Sequence, residues 1–253
     1  MDLSTALSIR AGDVIALTGG GGKTAALYLL GEELATRSLP VLLCGTTRFT
    51  PPEGGAAPKL VLVESEIMLH RAVEQAAHWP VTAATGWGSK GRLLPLPSEW
   101  VDALHSTHPE LTIVIEADGS AMRPFKAPGP HEPVIPTSAS LVVSVVGMDA
   151  AEGPLDERHV HRPERVSALI GVAIGDPVTP ALIARVLAHV DGGRKHVPAG
   201  ARWLVLLNKA DTPARRAAAA EVAAHLPRGA TVVIAQLKRL PPVLAVLETG
   251  RPT

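Results

Sequence analysis

Apolar runs rich in β-branched residues alternate along the chain with segments of helical periodicity. This alternation is typical of a parallel sheet that is covered by helices on both faces. The apolar runs predict strands at 13–18, 41–45, 59–63, 112–116, 141–146, 203–208 and 231–235. The periodic segments predict helices at 24–37, 65–78, 98–106, 162–169, 180–190, 214–226 and 242–248. The pattern therefore predicts a three-layer α/β fold with a mostly parallel sheet.

Three stretches rich in glycine and proline interrupt this pattern, at 48–57, 79–97 and 120–137. Because they lack helical periodicity, they predict loops or short hairpins. The chain has 253 residues, of which 46% are hydrophobic, and this is enough for one sizeable core. We therefore predict a single domain over residues 1–253, with loop or hairpin insertions near 79–97 and 120–137.

The charge balance and the cysteine content limit the class of protein. Basic and acidic residues number 24 each, so no field is expected that would hold nucleic acid or an anionic membrane surface. No apolar run reaches the length of about 18 residues that a membrane-spanning helix needs. The single cysteine, Cys44, cannot form an internal disulfide, and the first residues lack the features of a signal peptide. We expect a cytoplasmic protein, with a homodimer left open.

A run of four glycines follows the first predicted strand and is followed by a lysine, a threonine and a helix; these are Gly19, Gly20, Gly21, Gly22, Lys23 and Thr24. Glycine backbones adopt positive φ and bring several N–H groups round one anion, while the lysine adds a positive charge. The start of the helix favours the same anion. The P-loop pattern G-x-x-x-x-G-K-[ST] would place its first glycine where Leu17 lies, so this motif is a compressed variant. The sequence predicts a nucleotide phosphate cradle with Thr24 as a Mg²⁺ ligand.

Two carboxylates lie at the carboxyl end of the predicted strand 112–116, namely Glu116 and Asp118. At the carboxyl end of a strand beside the glycine run, they can hold Mg²⁺ directly or through water. A strand that ends in an ordinary Asp-Gly turn is the alternative. Thr47, after the second strand, is a further candidate for the metal shell, against the alternative of a β-former that ends the strand. Together with Lys23, both carboxylates are candidate catalytic residues.

The sequence NKAD closes another apolar strand and supplies Asn208, Lys209 and Asp211. In GTPases, N-K-x-D reads guanine, because the aspartate accepts hydrogen bonds from N1 and N2 of the base while the lysine stem packs over it. Adenine lacks that pair of donors. The alternative is an Asp211 that caps the next helix. The motif predicts GTP as the bound nucleotide, with ATP as the alternative.

Several motifs together resemble the YqeC family, known as selenium-dependent hydroxylase accessory proteins. They are GGGGKT, the TTR segment, NKAD, GMDAAEGPLDERHVHRPE and, most specifically, EADGSAMRPFKAPGPHEPVIP at 116–136. The resemblance implies a P-loop nucleotidase fold near the metallochaperone GTPases. It also implies a role in maturing selenium-dependent molybdenum hydroxylases, at the molybdenum-cofactor or selenium-insertion step. The implied partners are a nucleotide, the molybdenum cofactor or a selenium donor, and a molybdenum hydroxylase.

The long motif contains Lys126, His131 and Glu132, which we consider candidates for contact with a second, anionic ligand. Without the resemblance, a solvated proline-rich loop would be preferred. His159 and His161 lie two residues apart, which suits one face of a strand and a metal ion. Two histidines without a third ligand make a weak site, so hydrogen-bonded histidines are the preferred interpretation.

The motifs predict a Mg²⁺-dependent nucleotide-binding protein that hydrolyses GTP slowly, and the resemblance implies that it serves hydroxylase maturation. One alternative is a small-molecule kinase that transfers the γ-phosphoryl group to a ligand held by Lys126 and His131. The other is a nucleotide-gated carrier or scaffold without useful hydrolysis.

Overall fold

The computed structural model describes residues 1–52 and 59–250. It confirms the predicted three-layer α/β architecture. The strands are β1 (Val14–Gly19), β2 (Val41–Gly45), β3 (Lys59–Leu62), β4 (Val81–Ala84), β5 (Thr112–Glu116), β6 (Phe125–Lys126), β7 (Leu141–Gly147), β8 (Val160–His161), β9 (Arg202–Asn208), β10 (Thr231–Ala235) and β11 (Val243–Glu248). The α-helices are α1 (Leu3–Ala6), α2 (Lys23–Thr36), α3 (Glu66–Glu74), α4 (Ser98–Thr107), α5 (Pro163–Ile170), α6 (Pro180–Ala188) and α7 (Pro213–His225), and 3-10 helices cover Ser89–Gly91 and Met148–Glu152.

Nine strands form the central sheet, in the order β11-β10-β9-β7-β1-β5-β2-β4-β3. All neighbours are parallel except β10 and β11. β6 and β8 pair separately as a short parallel sheet. Among the described residues, no helix is long and apolar enough to cross a membrane.

The alternation of side chains along each strand divides the core between the two faces of the sheet. Ile15 and Leu17 of β1 pack with α1 and α2 on one face. Val14 and Ala16 pack with α3 and α4 on the other, and α5, α6 and α7 continue this layer over β9 and β10. Because both faces are covered, the central strands are mostly apolar and almost completely buried, which is typical of parallel strands.

The predicted helix at 242–248 is wrong, since this segment forms β11. Its side chains alternate in burial from Ala245 to Glu248, and it pairs antiparallel with β10 at the edge of the sheet. This alternation has the period of a strand. A segment of six residues is too short for a helical pattern to be told apart from a strand pattern in the sequence.

The region 79–97 is only partly the predicted loop or hairpin. Val81–Ala84 forms β4, a fully buried strand between β2 and β3. A hairpin follows, in which Thr85 N donates to Leu94 O and Gly88 N donates to Arg92 O. The region 120–137 likewise contains β6. The predicted loop at 48–57 lies partly outside the described residues.

Strand register brings the carboxyl ends of the inner strands to one edge. Glu116 of β5 lies opposite Leu17 of β1 and Gly45 of β2. On the other side, β7 ends at Gly147 opposite Asn208 of β9. The residues proposed from the sequence as nucleotide and Mg²⁺ ligands therefore lie at this edge of the sheet or in the segments that directly follow it.

Candidate nucleotide site

The glycine run turns the chain from β1 into α2 in a space that only glycine fits. Gly19, Gly21 and Gly22 have φ values of 86°, 76° and 142°. A Cβ atom on Gly20 would lie 2.6 Å from the carbonyl oxygen of Arg123, and one on Gly21 would lie 2.2 Å from the backbone nitrogen of Gly147. The loop therefore needs both the positive φ and the missing side chain.

The loop leaves backbone donors for an anion. Gly20 N donates to Val145 O at 2.8 Å, which fixes the base of the loop to β7. Among the described residues, no acceptor is found for the N–H groups of Gly21, Gly22, Lys23 and Thr24. These donors lie at the start of a 14-residue helix, where an anion is favoured by the helix dipole.

Lys23 is buried at the foot of this loop, with only 4% of its surface exposed. Its Nζ donates to Gly19 O at 2.5 Å and lies 3.1 Å from Oδ1 of Asp118. Asp118 in turn accepts a hydrogen bond from Gly19 N at 3.0 Å through Oδ2. The predicted cradle lysine and the predicted carboxylate are thus in direct contact.

A second carboxylate meets the first turn of α2. Thr24 Oγ1 donates to Oε2 of Glu116 at 2.8 Å. Burial raises the pKa of Glu116, and the Lys23 ammonium and the Thr24 hydroxyl offset part of that rise. A buried carboxylate of this kind is stabilised in its charged form by a cation.

Two further oxygens support a metal shell at this place. Thr47 Oγ1 is buried and has no hydrogen-bond partner among the described residues, and Asp118 Oδ1 has only its ion pair with Lys23 there. Thr46, by contrast, is used structurally, since its Oγ1 donates to Val134 O at 2.6 Å. Hydroxyl and carboxylate oxygens are the ligands that Mg²⁺ prefers, so the donor set fits this ion.

Lys126 and Glu132 belong to a buried network that reaches the glycine loop. Lys126 Nζ lies 2.6 Å from Gly119 O, 2.6 Å from Glu132 Oε2 and 3.2 Å from Asp118 Oδ2. Arg162 makes a two-pronged ion pair with Glu132, at 2.5 and 3.0 Å. Although burial alone would raise the pKa of Glu132, the hydrogen bonds from Arg162 and Lys126 hold it well below its usual range.

The remaining second-ligand candidate, His131, is exposed to solvent. Lys126, in contrast, is buried with its three donors facing oxygen atoms. The structure thus separates the three candidates into two network residues and one surface residue. Arg162 was missed from the sequence, where it was assigned to the start of a helix, and only its place in the motif GMDAAEGPLDERHVHRPE marks it.

Asn208 ties the predicted base-reading motif to the phosphate loop. Its Nδ2 donates to Gly21 O at 2.8 Å, and its Oδ1 accepts from Leu237 N at 3.0 Å. It is 4% exposed. Asn208 therefore fixes the position of the loop relative to β9 and to the segment after β10.

Lys209 and Asp211 are held in ion pairs. Lys209 Nζ lies 2.6 Å from Asp149 Oδ2. Arg215 donates to Asp211 Oδ1 at 2.9 Å, and Arg239 lies 3.5 Å from Oδ2. The alternative role for Asp211 was to cap the next helix, but the side chain that caps α7 is that of Thr212. A carboxylate retains free lone pairs beside such partners, so both arginines leave room for further donors.

The weaker candidates from the sequence have ordinary surroundings. His159 contacts Asp156 at 2.7 Å, and His161 lies on β8, where burial and the charges of Arg162 and Lys126 lower its pKa. Within residues 1–52 and 59–250, no group of three or more metal-binding side chains is present. Burial raises the pKa of Cys44 to about 12, so its thiol stays protonated.

The sequence was also compared with known proteins. Residues 15–164 match the family model described as YqeC protein, and this span is more than half of the chain. The chain belongs to the YqeC family. It is 29% identical over 198 residues to the uncharacterized protein YqeC of Escherichia coli strain K12, an alignment that covers 78% of this chain and 75% of that relative. The family match contains the glycine loop, both carboxylates and the Lys126 network, and it ends before Asn208.

Proposed function

We propose that this protein binds a Mg²⁺-nucleoside triphosphate, with guanine as the base, and hydrolyses it slowly in the service of selenium-dependent molybdenum hydroxylase maturation. The observation that carries the proposal is the hydrogen bond between Thr24 and Glu116 at the mouth of the glycine loop. It joins a helix-start hydroxyl to a carboxylate at the end of the neighbouring strand. This is the pair of groups that a P-loop protein uses for its metal.

Each group has a defined task in this proposal. The N–H groups of the glycine loop and the Lys23 ammonium bind the phosphates. Thr24 and Glu116 hold Mg²⁺, and Thr47 and Asp118 complete its surroundings directly or through water. The bound ion neutralises charge on the terminal phosphates. Asp118, which contacts both Lys23 and the loop, is also suited to orient an attacking water.

The choice of guanine rests on the NKAD segment. Asn208 already holds the phosphate loop, as a residue that links base and phosphate sites must. Lys209 and Asp211 are the groups left to contact the base. Asp211 would accept from the base while keeping its contact with Arg215, and ATP remains the competing nucleotide.

The role in hydroxylase maturation rests on family membership and on the long motif. In this proposal a molybdenum-cofactor or selenium-donor molecule, or the hydroxylase itself, contacts the segment 120–137 through the exposed His131. Lys126 and Glu132 connect that segment to Asp118, and hence to the nucleotide phosphates.

Product analysis tests the proposal against its alternatives. The purified protein is incubated with radiolabelled GTP or ATP and Mg²⁺, with and without a molybdenum-cofactor preparation. We expect slow release of inorganic phosphate from GTP, lost in Thr24→Ala and retained in Thr24→Ser, which keeps the hydroxyl. A phosphorylated ligand would indicate the kinase, and nucleotide binding without either product would indicate the carrier or scaffold.

A further inference from the structure

An arginine outside all of these motifs lies beside the candidate metal site. Arg92 belongs to the hairpin that follows β4. The backbone of this hairpin is fixed to the end of β2, because Leu93 and Phe49 exchange hydrogen bonds of 2.9 and 3.3 Å and Leu96 N donates to Gly45 O at 2.8 Å. Gly45 lies opposite Glu116 in the sheet. Arg92 is therefore attached to the side of the cradle that β2 and β5 form.

The donors of Arg92 are only partly used. Its Nη2 donates to Arg48 O at 3.1 Å. Its Nε is buried and has no hydrogen-bond partner among the described residues. A buried guanidinium N–H without an acceptor is costly, so a ligand that supplies one is favoured.

The segment that Arg92 contacts is tied to the strand that carries Glu116. The backbone nitrogen of Thr46 donates to the carbonyl oxygen of Glu116 at 3.2 Å, and Arg48, whose carbonyl oxygen accepts from Arg92, lies two residues further along. The hairpin also packs against the segment that carries Thr47, whose buried Oγ1 likewise has no partner in the described part of the chain. Two polar atoms without partners, Arg92 Nε and Thr47 Oγ1, thus lie on neighbouring segments that are joined at the end of β2.

We propose that Arg92 contacts the terminal phosphate of the bound nucleoside triphosphate, as an arginine supplied by the protein's own chain. The inference rests on the proposed function and adds a residue to that site. A guanidinium donates to phosphate oxygens in pairs, and in phosphoryl transfer it stabilises the charge that develops on the transferred group.

In the hydrolysis step, the oxygen of water forms a bond to the γ-phosphorus while the bond from that phosphorus to the β–γ bridging oxygen breaks. The bridging oxygen keeps the electron pair and leaves on the nucleoside diphosphate. One proton of the water passes to the released phosphate, and the other stays on the attacking oxygen. Arg92 remains protonated throughout and supplies hydrogen bonds only.

The test compares Arg92→Ala with Lys90→Ala, which removes an exposed cation from the same hairpin. Affinities for GDP and for a non-hydrolysable GTP analogue are measured by calorimetry with Mg²⁺, and phosphate release is measured in single turnovers. In Arg92→Ala we expect analogue affinity to fall about 10- to 150-fold while GDP affinity stays within about twofold. Single-turnover release should fall by about 100-fold or more, and Arg92→Lys should recover part of both losses.

Two results would overturn the inference without contradicting the proposed function of the wild-type protein. The first is an Arg92→Ala variant that matches Lys90→Ala. The second is an Arg92→Ala variant that loses affinity for GDP and for the analogue equally, which indicates a role in folding alone. If the wild-type protein binds neither nucleotide, the proposed function itself fails, and this inference fails with it.

Discussion

Replacing Lys126 with methionine tests whether the buried network organises the nucleotide site. The side chain of Lys126 is 1% exposed and that of Asp118 is 2% exposed, so the ion pair between them is shielded from water. Methionine fills a similar volume but removes three contacts, to Asp118, Gly119 and Glu132. The substitution therefore removes charge with little change in packing.

The expected loss of stability depends on the ion pairs that remain after the substitution. Removing one partner of a buried ion pair costs about 3–5 kcal/mol when the other charge is left alone. Here Asp118 keeps Lys23, and Glu132 keeps Arg162, so we expect the lower end, about 3 kcal/mol. For a domain of this size, that corresponds to a fall in Tm of about 6–12 °C.

Thermal unfolding followed by circular dichroism measures the effect. Lys238→Met makes the same substitution at an exposed lysine and should leave Tm unchanged within about 1–2 °C. If Lys126→Met unfolds at the same temperature as Lys238→Met, the network does not contribute to stability. Asp118 is then not held in place by Lys126.

The pH dependence of this difference follows from Glu132. The pKa of Glu132 is depressed in the folded protein. The stability that its ion pairs contribute is therefore fully present above the ordinary pKa of 4.5, and it is lost as the pH falls through the lower pKa of the folded state. The gap in Tm between wild type and Lys126→Met should be equal at pH 7 and pH 6. It should narrow as the pH falls below 4.5.

Three further predictions concern the ligand sites. Lys23→Ala and Thr24→Ala should each weaken Mg²⁺-GTP by about 10- to 150-fold in calorimetry, and wild-type affinity in folded variants would refute the cradle. Asp211→Asn should weaken GTP and favour xanthosine triphosphate in a competition assay, whereas equal loss of both would point to a role in the ion pair with Arg215 alone. His131→Ala should keep nucleotide affinity but fail to restore hydroxylase activity in cells that lack the native protein, and full complementation would leave the segment 120–137 without a second ligand.

Much of the fold could be predicted because buried parallel strands appear in the sequence as runs of apolar and β-branched residues. β1, β5, β7 and β9 are mostly apolar and largely buried, and each ends in a glycine or a polar residue, namely Gly19, Glu116, Gly147 and Asn208. The short strand β4 was missed because Val81–Ala84 lies among glycines and prolines. These residues predict a loop over the whole region, and four strand residues are too few to change that prediction. β11 was taken for a helix, since pairing with β10 decides its structure and pairing is not visible in a local window.

The candidate site shows the same limit. The glycine loop, Thr24 and Glu116 could be named from the sequence, because a local motif defines them. The pairing of Arg162 with Glu132 joins residues 30 positions apart, and Arg92 reaches the site only because its hairpin packs on β2. Such contacts depend on how the chain folds back on itself, so only the structure reveals them.

The most direct measurement of the central claim is a calorimetric titration of the purified protein with GTP and with ATP, each in the presence and absence of Mg²⁺. We expect saturable, Mg²⁺-dependent binding of GTP that is tighter than that of ATP. Absence of binding by both nucleotides in Mg²⁺ would contradict the phosphate site formed by the glycine loop, Lys23, Thr24 and Glu116. Binding of ATP in preference to GTP would keep that site and refute the assignment of Asp211 to guanine.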